Sequence, residues 1–241
     1  MVTELSSRQL ALLQHLRRYR ISLRPVLDRL FYEGRPDGCK ADLEHLRGQS
    51  LIQVVKNAVQ DGKHPHIRYS YYALLATGAK LLGVPSPRAS RVGSDALTRH
   101  LAHLYYCCFS RRRRHRLLED ELRRLFEPAS PPASSTTAAT IPGFHCLERH
   151  GDQFIVQHMY SPNTLAADIL SQVRKRIRSA EEHPLVREAL HAHLYGIVVL
   201  TASRELQSEV RRLLDQEYHG SGMSLTVSLS PGSWQLARNE S

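Results

Sequence analysis

One tract, PASPPASSTTAATIP at residues 128–142, constrains the fold more than any other part of the chain. It carries no charge and no apolar repeat, so it has no face to bury as a helix or as a strand. Its Pro, Ser, Thr and Ala content reads as an interdomain linker. A chain of 241 residues is long enough for a domain on each side of it.

The charge balance changes at the same place. Residues 1–127 hold 23 Lys and Arg against 12 Asp and Glu, a net of +11. Residues 128–241 hold 10 against 11, a net of −1, so the whole excess of +10 lies ahead of the tract. A basic module joined to a neutral one points to a polyanion, and first to double-stranded DNA, where neutralised phosphates release counterions. No uninterrupted apolar run is long enough to cross a bilayer, Gly196 to Ala202 being only strand-sized. The opening Met-Val-Thr-Glu-Leu-Ser-Ser shows no basic stretch followed by an apolar one, so a soluble, cytoplasmic chain with no membrane partner is expected. Its four cysteines, Cys39, Cys107, Cys108 and Cys146, are then expected to be reduced.

Ahead of the tract the helix signals dominate. Ser6-Ser7 can cap a helix carrying Leu10, Leu12, Leu13, Leu16 and Tyr19. Ser22 can cap a second with Val26, Leu27, Leu30 and Phe31 on one face, Pro25 falling in its first turn. Asp37 or Gly38 opens a third with Ala41, Leu43 and Leu46 inward, ending near Gly48. Two β-type runs follow, Leu51 to Val55 and Ile67 to Leu74, around a turn-rich stretch, and then a short helix from Thr77 to Leu82. Three helices and a hairpin are the order of a winged helix-turn-helix, in which the third helix enters the major groove and the wing rests on the flanking backbone. That order places Arg35, Lys40 and Arg47 at or on the third helix and Lys56, Lys63, His64 and Arg68 on the wing. Asp42 and Glu44, on the same helix, repel phosphate, and a winged helix used for protein contact is the competing reading.

Apolar spacing through Leu97, Leu101, Leu104, Phe109, Leu117, Leu118, Leu122 and Leu125 predicts one long helix from Asp95 to Phe126, capped by Ser94. A helix of that length suggests packing against a twin, hence a homodimer. Arg111, Arg112, Arg113, Arg114 and Arg116 would spiral around it, some on phosphate and some merely solvated. His100, His103 and Cys107 stand one turn apart, but no paired CxxC or HxxxH completes four ligands, so buried helix residues account for them better than a metal does.

Behind the tract the pattern becomes ββ-α-α-β-α-β. Strands are expected at Phe144–Arg149, Gln153–Tyr160, Tyr195–Thr201 and Met223–Ser230, with helices capped by Asn163 or Thr164 and by Ser203 and a short one at Pro184–His193. A hairpin feeding a helix, beside a DNA-binding module, is also the layout of restriction-type nucleases, which need an Asp and then Glu-x-Lys to hold Mg²⁺. The hairpin offers only Glu148 and Asp152, and its second strand, QFIVQHMY, has neither carboxylate nor lysine. No nuclease activity is expected. P-loop, GxSxG and HExxH motifs are absent, and no cofactor or metal is implied.

The segments LSSRQLALLQHLRRYR, YYALLATGAKLLG and HRLLEDELRRLF span most of residues 6–126. In them the chain resembles the replication-relaxation family of bacterial plasmid and mobile-element proteins. That resemblance implies a winged helix joined to a restriction-nuclease-like domain and a role in plasmid replication or DNA relaxation. Ile141-Pro142-Gly143 and Gln157-His158-Met159 stand where the nuclease acids would be expected.

The expectation is an α+β chain. It comprises a winged helix-turn-helix over 1–90, a long basic helix over 91–127, a linker over 128–142, and over 143–241 a non-catalytic α/β domain with a mixed sheet, resembling a degenerate restriction-endonuclease-like fold. Its expected role is a transcription or replication regulator of a plasmid or mobile element, the last domain contacting a protein partner. The alternatives are an accessory subunit of a relaxosome or defence complex, or a metal-dependent nuclease.

Overall fold

The computed structural model describes residues 4–33, 36–58, 68–85, 92–110, 112, 114–126, 143–162, 165–219 and 223–230. The linker expected at 128–142 lies outside them. The protein is a mixed α+β chain of two compact units, divided between Phe109 and Ser110. No helix among the described residues is long and apolar enough to cross a membrane.

In the first unit α1 spans Ser7–Tyr19. Ser6 caps it in a capping box, its hydroxyl accepting from Gln9 N while Gln9 Oε1 accepts from Ser6 N. The chain then forms a three-residue strand, β1 (Ile21–Leu23), and turns through α2 (Arg24–Leu27) into a π-helical turn, Asp28–Tyr32. Helix α3 (Pro36–Gly48) follows, then β2 (Ile52–Ala58), β3 (Arg68–Leu74) and α4 (Ala76–Leu81). The strands form one antiparallel sheet in the order β1-β3-β2, with Ile21 opposite Ala73 and Ile52 opposite Leu74. Ser22, expected as a helix cap, is a strand residue instead: its hydroxyl bonds His15 Nε2 at 3.0 Å and so fixes β1 against α1. One core joins the layers, made of Leu12, Leu13 and Leu16 from α1, Leu43 and Leu46 from α3, Leu51 just ahead of β2, and Ile52 and Leu74 from the sheet.

The last helix of this unit, α5 (Ser94–Cys108), ends where the sequence predicted continuation. The long helix to Phe126 is corrected to α5, a strand β4 (Arg114–Leu117) and a separate helix α6 (Glu119–Phe126). The reason is electrostatic. Arg111 to Arg114 have no acid within four residues on either side, so a helix would stack like charges one turn apart without relief. On a strand, alternate residues face opposite ways and can use carboxylates of a neighbouring strand. With the long helix goes the reason for expecting a homodimer.

Strand β4 opens the second unit. It is the edge of a five-stranded mixed sheet, β4-β5-β6-β7-β8, whose other strands are Phe144–His150, Gln153–Tyr160, Tyr195–Thr201 and Ser224–Leu229. Pairing is antiparallel from β4 to β6 and parallel from β6 to β8. Helices α7 (Ala166–Glu181), α8 (Pro184–His191) and α9 (Arg204–Tyr218) provide the crossovers. Apolar residues of α7 and α9 pack on Ile197, Val199 and Val227, while Leu122 and Phe126 of α6 and Val186 and Leu190 of α8 pack on Val156 and Tyr195. At the β8 edge, Gln207 and Arg211 of α9 donate to the Val227 carbonyl at 3.2 and 3.3 Å, occupying one backbone acceptor of an edge strand.

Gly78 tests the first unit's packing. A Cβ there would stand 2.4 Å from the Leu51 carbonyl oxygen, which also accepts the Leu75 N–H at 2.9 Å. Gly78→Ala is expected to lower stability by about 2 kcal/mol or more, because backbone cannot give way cheaply. Gly48→Ala, with open space at its Cβ, is expected to be neutral or mildly stabilising. Thermal melts of the two variants check the contrast.

Candidate nucleic-acid interface

Helix α3 buries Cys39, Leu43 and Leu46 and exposes Lys40, Ala41, Glu44, His45 and Arg47. Ala41, expected inward, faces solvent. Asp42 does the reverse of what its charge suggested. One carboxylate oxygen accepts from Gln9 Nε2 at 2.8 Å and the other from the Tyr32 hydroxyl at 2.5 Å. Burial and the bond to Asp42 push the Tyr32 phenol far above its ordinary range, and the Arg8 guanidinium lies 5.1 Å over the Tyr32 ring. Asp42 is therefore tied to α1 and to the π-helical turn, and withdrawn from the outer face. Lys40 and Arg47 on that face, and Lys56 on β2, are exposed and have no acidic partner among the described residues. Arg68 is a β3 residue, and Arg35, Lys63 and His64 lie outside the described residues.

The arginine run is placed differently from the sequence expectation. Arg111 and Arg113 lie outside the described residues. Arg112 donates to one oxygen of Glu148 at 2.8 Å, and Arg114 Nε to the other at 2.7 Å. Arg114 also donates to the Ser110 hydroxyl, and Arg116 is buried with its guanidinium 4.8 Å over the Phe144 ring. Arg114 and Arg116 are thus committed to the second unit's sheet, while Arg112 keeps 62% of its side chain exposed. Dividing the charge by unit gives the first, residues 1–109 with 231–241, 17 basic against 9 acidic residues, a net of +8. Residues 110–230 hold 16 against 14, a net of +2. The asymmetry is smaller than the linker-based division implied, and it still favours the first unit.

The two candidate nuclease acids do not meet a common ligand. Both oxygens of Glu148 are held by arginines, and Asp152 projects fully exposed from the β5–β6 turn. Burial raises the Glu148 carboxyl, but the hydrogen bonds and charges of Arg112 and Arg114 outweigh it and hold the group below its ordinary value. His100, His103 and Cys107 are buried on α5, and among the described residues no group of three or more His, Cys, Asp or Glu side chains could hold a metal ion.

Sequence reasoning missed a polar cluster inside the second unit. His145 on β5 stands opposite His158 on β6, with ring centroids 4.6 Å apart. The Tyr195 hydroxyl bridges them, 3.0 Å from His145 Nε2 and 3.5 Å from His158 Nδ1. Burial, then the neighbouring His158, holds the His145 imidazole well below its ordinary value. Burial, then Arg176, lowers His158 to about 4. Gly143, at φ 121°, is required here, since a Cβ would come within 2.7 Å of the His158 ring. The only sequence signal was the placement of the two histidines at facing positions of a hairpin.

Glu148 is 2% and Arg114 9% exposed in their side chains, so removing one partner strands a buried charge. Arg114→Ala is expected to cost about 3–5 kcal/mol. Arg112→Ala, exposed, is expected to cost about 1 kcal/mol or less. Urea unfolding monitored on the second unit separates them.

The buried histidines set a pH dependence as well. His15, His145 and His158 are neutral when folded, His15 being lowered to about 3 by burial and then Arg18. Each takes a proton only on unfolding once pH drops below about 6.5. Stability is therefore complete above that pH and falls by up to about 1.4 kcal/mol per pH unit per histidine below it. Denaturation at pH 7.5, 6.5 and 5.5 should show this, and a flat profile would contradict the buried neutral rings.

No family model, curated protein or solved structure matches the chain. The likeness to the replication-relaxation family accordingly rests on the three sequence segments quoted above.

Proposed function

We propose that the first unit is a winged helix-turn-helix that binds duplex DNA, with α3 in the major groove and the β2–β3 ribbon beside it as the wing. The single observation behind this reading is the set of exposed cations Lys40, Arg47 and Lys56, without acidic partners among the described residues, on α3 and β2 of a unit of net charge +8. The element order supports it, since α3 is followed directly by the antiparallel β2–β3 ribbon. Asp42 supports it too, because one of the acids on α3 that would oppose phosphate is tied inward. The second unit then serves as a catalytically silent α/β domain, resembling a restriction-nuclease fold whose metal-binding acids are missing, that contacts a protein partner. On this reading the chain regulates transcription or replication on a plasmid or mobile element, as the resemblance to the replication-relaxation family implies. An accessory subunit of a relaxosome or defence complex would use the same DNA-binding face.

The test is fluorescence anisotropy of the full chain on a labelled duplex across a salt series. Affinity is expected to fall log-linearly with salt, and Lys40→Ala and Arg47→Ala each to weaken binding uniformly and reduce the salt slope by about one. No binding at low salt would overturn the assignment.

A further inference from the structure

Two acids on the outer face of α3, Asp37 in its first turn and Glu44 at mid-helix, do not fit a surface built only to grip phosphate. At about 100° per residue, Glu44 lies with Ala41 and Gly48 roughly opposite the buried Cys39–Leu43–Leu46 stripe. Lys40 and Arg47 stand to one side of that line and His45 to the other. Glu44 is exposed and has no hydrogen bond or ion pair among the described residues. In particular it does not use Lys40 one turn away, the pairing that normally accounts for an exposed helical glutamate. The fold disposes of the other mid-helix acid, Asp42, by turning it onto Gln9 and Tyr32, and leaves Glu44 at the centre of the outer face.

We infer that Glu44 is the residue of α3 that reads base sequence, its carboxylate accepting from the exocyclic amino group of a cytosine while Lys40 and Arg47 hold the flanking phosphates. This rests on the proposal that α3 lies in the major groove. In that groove a carboxylate is repelled by phosphates on both walls, and the cytosine N4 amino group is a donor that suits it. Positioning and reading are then divided within one helix: cations at its flank fix register without sequence information, and an acid at its centre supplies it. On the same line Ala41 has only a methyl group and Gly48 no side chain, which lets the helix backbone approach the base edges closely enough for Glu44 to reach.

Selection from a randomised duplex library, run with the full chain and with Glu44→Ala, tests this. Glu44 has no hydrogen bond or ion pair among the described residues, so the variant is expected to fold, and circular dichroism checks this. The wild-type chain is expected to select a site with a fixed cytosine. Glu44→Ala is expected to lose about tenfold discrimination at that base pair alone, within the range one good base contact supplies. It is also expected to bind unselected duplex more tightly, because a repulsive charge has gone. Glu44→Gln should move the preference toward adenine, whose N6 and N7 suit an amide. A variant that gains affinity for every duplex while its selected site stays unchanged would overturn the inference and leave the DNA-binding assignment standing. A wild-type chain that binds no duplex would overturn both, and Arg47→Ala, weakening all sequences alike, marks the difference between gripping and reading.

Discussion

Glu148 lies almost out of water between two guanidinium groups, and the seating of β4 beside β5 depends on that pairing. A buried carboxylate is costly unless both oxygens are satisfied by charged donors in good geometry. Arg112 and Arg114 provide this only if the chain leaves α5 at Cys108 and runs extended past β5, with Arg114 opposite Glu148. The same alternation puts Arg116 against Phe144 and seats Leu117 in the core under α6 and α8. One ion-pair arrangement therefore secures the edge strand that opens the second unit.

The first unit solves a smaller version of the same problem. Asp42 sits on the side of α3 that meets α1, and Gln9 together with Tyr32 absorbs it. Gln9 serves twice, since it also closes the capping box with Ser6, so the start of α1 and the middle of α3 are fixed by one side chain. In both units an acid that looks free in the sequence is consumed internally, and the charges left on the surface are those the core could not use.

Much of the architecture was legible because it follows from apolar period and turn chemistry. The Ser6 cap, the α3 stripe and the strands Phe144–His150, Gln153–Tyr160 and Tyr195–Thr201 stand within a residue or two of where pattern placed them. What escaped has two causes. Strand β1 is three residues long, too short for any period, and exists because β3 offers it a partner some fifty residues later, Ile21 to Ala73. The arginine run was read as helix because Leu117, Leu118, Leu122 and Leu125 continue the α5 spacing, and spacing carries no information about the carboxylate at 148 that decides against it. Of the expected DNA contacts, Lys40, Arg47 and Lys56 emerge exposed, whereas Arg114 and Arg116 are turned inward. Composition cannot make that distinction.

Net charge is a property of the chain, but the potential at a surface belongs to cations whose counter-charges lie elsewhere. The densest basic segment, Arg111 to Arg116, sits in the unit whose net charge is only +2, and at least two of its arginines serve the interior. The sparser cations of α3 and β2 have no such duty. Three exposed cations on α3 and β2, unpaired among the described residues, can give a salt-dependent grip of moderate strength, since each neutralised phosphate adds roughly one unit to the salt slope. A grip of that size slides along DNA without choosing a site, so selectivity has to come from a group whose interaction with the backbone is unfavourable and whose interaction with one base edge is not. On the outer face of α3 that condition points to a carboxylate, and with Asp42 packed inward and Asp37 in the first turn, Glu44 is the one at mid-helix.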